Sequence, residues 1–156
     1  MPTSLATLLA PSRIRVGLPA ETKAEVIEAL VDLAATAEAV SDRDAVLAAV
    51  LAREALMSTG VGQGVALPHA RTEAARTTVA AFATLAAPVA FESLDGEPVR
   101  LVALIAGAES ERQGHVRLMS RASRVFADEA TRERLLAARA PREVLQAFKD
   151  AEASLA

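Results

Sequence analysis

Hydrophobic and polar residues in the first third of the chain follow a strand pattern and then two helical patterns. After a leader of about ten residues, segment 13–18 predicts a short strand. The acidic, turn-forming segment 19–22 then opens a helix, whose buried face is expected to hold Val26, Leu30, Leu33 and Ala37. A second helix should begin at Ser41, whose hydroxyl can cap the first turn, and should run toward Met57. These two helices are expected to be neighbours.

The middle of the chain is a glycine-rich segment followed by two apolar segments. Segment 58–71 predicts a shaped loop around a short strand, because its glycines permit backbone angles that other residues avoid. Segments 77–85 and 99–105 are rich in Val, Thr, Leu and Ala and predict strands. The second is apolar at consecutive positions, as expected of a fully buried strand.

Residues after Glu111 return to a helical pattern. A break is expected near Asp128, and a last helix should start at Pro141. The apolar side of the first of these helices is expected to hold Val116, Met119 and either Val125 or Phe126. Strands therefore lie between helices, and the sequence predicts an α/β fold in a single domain, 1–156, with a small mixed β-sheet flanked by helices on both faces.

Length and composition favour a soluble cytoplasmic protein. The 156 residues correspond to about one domain. Although 52% of the residues are hydrophobic, no segment approaches the roughly 18 consecutive apolar residues of a membrane span, so no membrane insertion is expected. Cysteine is absent, which excludes disulfides and thiolate metal sites, and the first residues lack the features of a secretion signal.

The charge distribution argues against nucleic acid as a partner. The net charge is −3, from 17 basic and 20 acidic residues that are interspersed along the chain, so no global field attracts a polyanion. Four Phe are the whole aromatic content, which leaves little surface on which bases could stack. We therefore expect no nucleic-acid partner.

Two histidines, His69 and His115, limit the number of possible mechanisms. The sequence has no HEXXH-type spacing, no G-x-S-x-G motif, and a glycine loop that ends in Pro-His rather than in the Lys-Ser/Thr of a P-loop. We expect neither a metal nor a cofactor. His69 follows Pro68, which lacks an N–H and tends to end a sheet ladder, so the imidazole should be offered at a strand end.

An imidazole in that position is a candidate nucleophile toward phosphorus. Its neutral form predominates near pH 7, and histidine is among the side chains that form covalent intermediates. Phosphoryl transfer needs positioning and donors for the phosphoryl oxygens, and backbone N–H groups of the glycine-rich run could supply those donors.

Each candidate residue also has an ordinary structural interpretation. A lone histidine at a strand end is more often a surface or core residue without a chemical role. Arg53 and Glu54 could form a solvated pair at a helix end. Arg117, Arg121 and Arg124 form a basic helical stripe that is most simply a solvent-facing side. Residue types and spacing alone leave these alternatives open.

One long string distinguishes between them. REALMSTGVGQGVALPHAR, from Arg53 to Arg71, resembles the signature of the fructose, mannitol and nitrogen-regulatory type of phosphotransferase system enzyme IIA, which ends in a phosphorylated histidine. The resemblance continues in APVAFESLDGEPVRLVALI, from Ala87 to Ile105, which is similar to the nitrogen-regulatory members, and in GHVRLMSRASRVF. LLAP and KAEVIEAL also fit, so the resemblance spans nearly the whole chain and implies the mannitol/fructose-type enzyme IIA fold.

The resemblance also implies roles for particular residues. His69 matches the phosphorylated histidine, Arg53 matches an arginine near its phosphate, and His115 matches a second histidine beside it at a helix start. The residues implied to shape the phosphoryl-binding loop are Thr59, Gly60, Gly62 and Gly64. The chain departs from the family where Val116 replaces a frequent leucine and where Gly107-Ala108 replaces a frequent proline.

The implied activity is protein-to-protein phosphoryl transfer. A histidine-containing phosphocarrier protein would pass its phosphoryl group to His69 in a phosphoenolpyruvate-dependent relay, and the nitrogen-type segment favours a regulatory protein whose phosphorylation state controls its binding of target proteins. A sugar-specific enzyme IIA that phosphorylates an enzyme IIB is the alternative. A binding module that is not phosphorylated is a second alternative, whereas a hydrolase would need a metal or base that the sequence does not supply.

Overall fold

A computed structural model describes residues 4–155 of the chain. Its helices and strands are α1 Leu5–Leu8, β1 Ile14–Leu18, α2 Lys23–Ala34, α3 Arg43–Leu56, β2 Gly60–Gly62, β3 Val65–Ala66, β4 His69–Arg71, β5 Val79–Val89, β6 Val99–Gly107, α4 Arg112–Ala127, α5 Glu129–Ala137 and α6 Pro141–Ala153. None of the helices in this part of the chain is long and apolar enough to cross a bilayer.

Strand β6 lies at the centre of a mixed sheet. One edge of β6 pairs with β5 in antiparallel orientation, and β5 pairs in turn with β1 in parallel. The other edge pairs in parallel with β3 and then with β4, and β2 is antiparallel to β3. Pro68 lies between β3 and β4, where its missing N–H interrupts the ladder as predicted. In β6 only Arg100 is exposed, which confirms the expected buried strand.

Two apolar layers cover the two faces of this sheet. On one face, α2 and α3 bury residues such as Ile27, Leu30 and Val50 against the strands. On the other face, α1, α4, α5 and α6 enclose a second cluster that includes Phe82 and Phe148, whose ring centroids are 5.1 Å apart at nearly right angles. This arrangement confirms the predicted α/β class with helices on both faces.

The start of α3 differs from the prediction. Asp42, not Ser41, is the N-cap residue, and its carboxylate accepts a hydrogen bond from the N–H of Ala45 at 3.1 Å. The N–H and the hydroxyl of Ser41 both donate to the carbonyl of Ala74. Ser41 therefore joins the loop before α3 to the segment before β5, and Asp42 caps the helix in its place.

The buried face of α4 also differs from the prediction. Val116 is 60% exposed, so its assignment to the core is wrong, while Val125 and Phe126 are buried as expected. The buried face includes His115 and Leu118 instead. The apolar pattern misplaced this face because it did not count the histidine as a core residue.

Glu152 ties the leader to the helices behind the sheet. Its buried carboxylate accepts hydrogen bonds from the backbone N–H groups of Leu5 and Ala6, each at 2.8 Å, and from Nε of Arg121 at 2.7 Å. The leader thus contains the short helix α1 rather than only irregular chain. Arg121 is partly buried in this ion pair, so the solvent-face interpretation fails for this member of the arginine stripe.

Candidate functional site

His69 is the first residue of β4, directly after the break at Pro68. Its Cα is in register with that of Ile105 on the central strand β6. The residue is partly exposed, whereas the flanking Pro68 and Ala70 are buried. The chain therefore holds the backbone of His69 rigidly and presents its imidazole at the surface.

A backbone hydrogen bond determines which nitrogen of His69 carries the proton. Nδ1 lies 2.9 Å from the carbonyl oxygen of Leu67. A carbonyl only accepts, so Nδ1 carries the proton and Nε2 keeps its lone pair. Burial lowers the pKa of His69, the Leu67 carbonyl opposes that shift, and the charge of Arg53 adds to it. The neutral, nucleophilic form is thereby favoured.

His115 lies beside His69, as expected, although the two are distant in sequence. The ring centroids are 5.6 Å apart and the rings are tilted by 45°. His115 is in the first turn of α4, where its N–H donates to the carbonyl of Glu111 at 2.9 Å. The side chain is buried and its Nδ1 has no hydrogen-bond partner. Burial, followed by the charges of His69 and Arg71, lowers the pKa of His115 to about 4. His115 is therefore neutral at pH 7.

The glycine-rich segment forms a tight hairpin of β2 and β3, which precedes β4 and His69 in the chain. Gly62, Gln63 and Gly64 have φ angles of 99°, 60° and 76°, a conformation that glycine adopts without strain. Gly60 packs so closely on Ser93 that a Cβ at Gly60 would lie 2.2 Å from the Ser93 hydroxyl oxygen. A side chain is thus disfavoured at Gly62 and Gly64 by the backbone conformation and at Gly60 by the contact with Ser93.

Several polar groups of the hairpin are already used within the protein. The N–H of Gly60 donates to the hydroxyl of Ser58 at 3.0 Å, and the N–H of Gln63 donates to the carboxylate of Asp95 at 3.0 Å. The carbonyl of Gly64 accepts from the N–H of Arg100 at 2.9 Å. These contacts show how the glycines shape the loop, whereas their role in binding a phosphoryl group stays a prediction.

Glu54 is a buried residue that holds the start of the hairpin. Its carboxylate accepts hydrogen bonds from the N–H of Thr59 at 2.8 Å, from the hydroxyl of Thr59, and from Nζ of Lys23 at 3.0 Å. The sequence interpretation of Arg53 and Glu54 as a solvated pair is therefore wrong for Glu54, which is 7% exposed. A signal was present: Glu54 continues the four-residue spacing of two buried α3 residues, Val46 and Val50.

Two arginines border the histidine pair. Arg53 is partly exposed, and its Nη1 donates to the carbonyl of Met57 at 2.8 Å. Arg71, which the sequence did not single out, is exposed at the end of β4 and donates to the carbonyl of Glu109 at 3.2 Å. Their charges act on His69 and on His115 respectively. The site combines one imidazole with a free Nε2 lone pair, a neutral second imidazole and two cations, a set of groups that could accommodate a dianionic phosphoryl group.

The described residues contain no cluster of three or more metal-ligating side chains. The charges of Arg53 and Arg71 act on His69 and His115. Such groups can neutralise a transferring phosphoryl group by positioned charges and donors.

Comparisons with known proteins match nearly the whole chain to one family. Residues 7–151 match the family described as "Phosphoenolpyruvate-dependent sugar phosphotransferase system, EIIA 2". The chain is 38% identical over 136 residues to the "PTS system fructose-specific EIIA component" of Haloferax volcanii, a match that covers 87% of this chain and 88% of that protein.

Two solved structures share the fold. The nitrogen regulatory protein IIA-Ntr from Neisseria meningitidis superposes with a TM-score of 0.87 at 29% identity, over 92% of this chain and 98% of that one. Enzyme IIAMTL, in its complex with phosphorylated enzyme IIBMTL from Escherichia coli, superposes with a TM-score of 0.78 at 27% identity, over 91% of this chain and 97% of that one. Both matches extend over nearly the whole described chain.

Proposed function

The chain belongs to the EIIA 2 family of the phosphoenolpyruvate-dependent sugar phosphotransferase system, and we propose that it carries a phosphoryl group on Nε2 of His69. The observation that carries this proposal is the 2.9 Å contact between Nδ1 of His69 and the Leu67 carbonyl. With the proton held on Nδ1, the Nε2 lone pair is free to attack phosphorus.

In the proposed step, a bond forms between Nε2 of His69 and phosphorus while the bond from phosphorus to the donor's imidazole nitrogen breaks. The electron pair of the breaking bond returns to the donor ring. The proton on Nδ1 of His69 stays in place, and the Leu67 carbonyl stabilises the positive charge that the phosphorylated ring gains.

We assign His115 the role of hydrogen-bond donor to the phosphoryl oxygens. A proton on its buried Nδ1 would be a donor without an acceptor, which is costly, so His115 carries its proton on Nε2. The ring lies beside His69 at the N-terminal turn of α4, where free backbone N–H groups and the helix dipole also favour an anion.

Arg53 and the hairpin complete the proposed site. The guanidinium of Arg53 would hold phosphoryl oxygens by charge-assisted hydrogen bonds. Thr59, fixed by Glu54, would set the position of the hairpin, and Gly60, Gly62 and Gly64 would give the hairpin its shape. These roles rest on the family signature. The role of Arg53 is also supported by its charge, which lowers the pKa of His69 and so indicates that the two side chains are close.

The donor in this proposal is a histidine-containing phosphocarrier protein. Exposed apolar side chains suited to protein contact lie along the segments that form the site: Leu56, Met57, Val61, Leu94 and Val116. Leu94 is joined to the hairpin by its N–H, which donates to the carbonyl of Gly60 at 3.3 Å. We propose that these side chains surround the contact with the donor.

We favour a regulatory role, in which the phosphorylation state of His69 controls the binding of target proteins. The nitrogen-type segment 87–105 and the superposition on IIA-Ntr support this role. The 38% identity to a fructose-specific EIIA component favours the second candidate, a sugar-specific enzyme IIA that phosphorylates an enzyme IIB. Selective recovery of soluble partners by only one phosphorylation state would support regulation, whereas rapid transfer to one sugar-specific enzyme IIB would support the second candidate.

Incubation with phosphoenolpyruvate, enzyme I and the phosphocarrier protein tests the phosphoryl-carrier proposal itself. Intact-mass measurement should show one added phosphoryl group that is lost in acid and retained in base. An unchanged mass in the presence of a competent donor chain would leave a binding module that is not phosphorylated.

A further inference from the structure

Gly107, the last residue of β6, lies against the ring of His115. A Cβ built on Gly107 would lie 2.7 Å from Nδ1 of His115, 3.5 Å from Cγ and 3.6 Å from Cε1. The Nδ1 edge of the imidazole therefore faces the backbone of Gly107, and Nε2, on the opposite edge, points away from it. The space that a side chain would take at this strand end is occupied by the histidine ring.

The backbone around Gly107 is fixed by the sheet that carries His69. Gly107 is in parallel register with Arg71 of β4, two residues beyond the pair formed by Ile105 and His69. Its carbonyl accepts the N–H of Thr72 at 2.9 Å. A shift of Gly107 would disturb these pairings, so the ring of His115 has to yield to any added side chain.

The conformation of Gly107 does not itself require glycine. Its φ is not among the positive values of the chain, so alanine is allowed at this position without backbone strain. What excludes a side chain is the closeness of the His115 ring. The absence of a Cβ thus has a local purpose, which is to accommodate that ring.

We propose that Gly107 is a positioning residue for phosphoryl transfer: its bare backbone seats the His115 ring so that Nε2–H points toward the phosphoryl group on His69. This inference rests on the proposed function of the two histidines. An added methyl would have to push the ring by about 0.7 Å or more to restore ordinary contact, and a misplacement of about 1 Å can cost up to about 100-fold in rate.

A double-mutant cycle tests this proposal, because Gly107→Ala can be compared with and without the ring that it is meant to displace. The rate of His69 phosphorylation by the phosphorylated carrier protein is measured for wild type, Gly107→Ala, His115→Ala and the double variant. Gly107→Ala should slow transfer by about tenfold in the wild-type background. In the His115→Ala background it should change the rate by less than about twofold, because the clash is absent.

NMR of the His115 ring provides a readout that does not depend on transfer. In Gly107→Ala the ring nitrogen signals of His115 should move and its pKa should rise toward the ordinary value, because the ring leaves its buried seat. Any decrease in Tm caused by Gly107→Ala should become smaller when His115→Ala is added. If Gly107→Ala folds poorly, recovery of Tm in the double variant therefore also supports the proposal.

Distinct results would overturn the inference and the proposed function. Unchanged His115 signals in Gly107→Ala, or an equal loss of rate in both backgrounds, would overturn the role of Gly107. If His115→Ala transfers as fast as wild type, the proposed donor role of His115 is wrong, while a displaced ring in Gly107→Ala would still support the seat.

Discussion

The two histidine regions of this protein place the same side chain in different surroundings. His69 begins a short strand, is partly exposed, and has its Nδ1 bonded to the carbonyl of Leu67. His115 lies in the first turn of α4, is buried, and has an Nδ1 without a partner. The His69 ring is thus held by a hydrogen bond at Nδ1, whereas the His115 ring is held by packing.

In both rings, the surroundings of Nδ1 determine whether Nε2 carries a proton. Because Leu67 fixes a proton on Nδ1 of His69, the proposed nucleophile is Nε2. Because Nδ1 of His115 faces Gly107 without an acceptor, the proposed donor is Nε2–H of His115. In this proposal, the Nε2 lone pair of His69 bonds to phosphorus, and the Nε2–H of His115 donates a hydrogen bond to a phosphoryl oxygen.

The largest effect is expected from His69→Ala. This change removes the only group proposed to bond to phosphorus, so phosphoryl uptake should be abolished, while the fold should persist because the side chain is partly exposed. Intact mass after incubation with the donor chain and circular dichroism measure the two effects. Retention of one phosphoryl group by the variant would transfer the role to another residue.

His115→Ala should slow transfer without abolishing it. Loss of a hydrogen bond to a charged group costs about 1–3 kcal/mol, which corresponds to a rate reduced about 5- to 150-fold. Single-turnover phosphorylation of His69 by the phosphorylated carrier protein measures this. Wild-type kinetics in this variant would show that the two regions are not coupled.

A smaller effect is expected at Arg53, which is partly exposed. Arg53→Ala should slow transfer by about tenfold, because a charge-assisted hydrogen bond to the phosphoryl group is lost. Arg53→Lys should fall between wild type and Arg53→Ala, since lysine restores the charge but not the planar fork. Equal rates for all three proteins would make Arg53 an ordinary surface residue.

A final prediction concerns the pH dependence of stability. The pKa of His115 is about 4 in the folded protein against an ordinary value of 6.5, so the unfolded chain binds the proton first as pH falls. The free energy of unfolding should therefore decrease as pH falls from about 6.5 toward 4, and part of that decrease should vanish in His115→Ala. Denaturant unfolding across this range measures the slope. Identical slopes in both proteins would contradict the burial of a neutral His115.

Much of the fold could be predicted from spacing, but the helix boundaries and faces that depend on polar contacts could not. The pattern predicted the buried strand β6 and the break near Asp128, because apolar runs and breakers act locally. It failed at Ser41, whose donors go to Ala74 far along the chain, and at Arg121, whose partner Glu152 belongs to another helix. These contacts join residues that are distant in sequence, so local spacing could not predict them.

The sequence named candidate residues for the site but not the contacts that surround them. The family signature singled out His69, Arg53 and His115, and the structure brings the two histidines together. Glu54 was misinterpreted because a buried carboxylate is exceptional, and only its contacts with Thr59 and Lys23 explain its burial. The functions themselves stay predictions until phosphorylation is measured.

The central claim is that His69 accepts the phosphoryl group on Nε2 while Nδ1 keeps its proton. Nitrogen and phosphorus NMR of the phosphorylated protein, labelled with ¹⁵N in the histidine rings, tests it most directly. The account predicts phosphorus coupled to Nε2 of His69, a protonated Nδ1 and an unmodified His115. Phosphorus on Nδ1 of His69, on His115, or on an oxygen would contradict it.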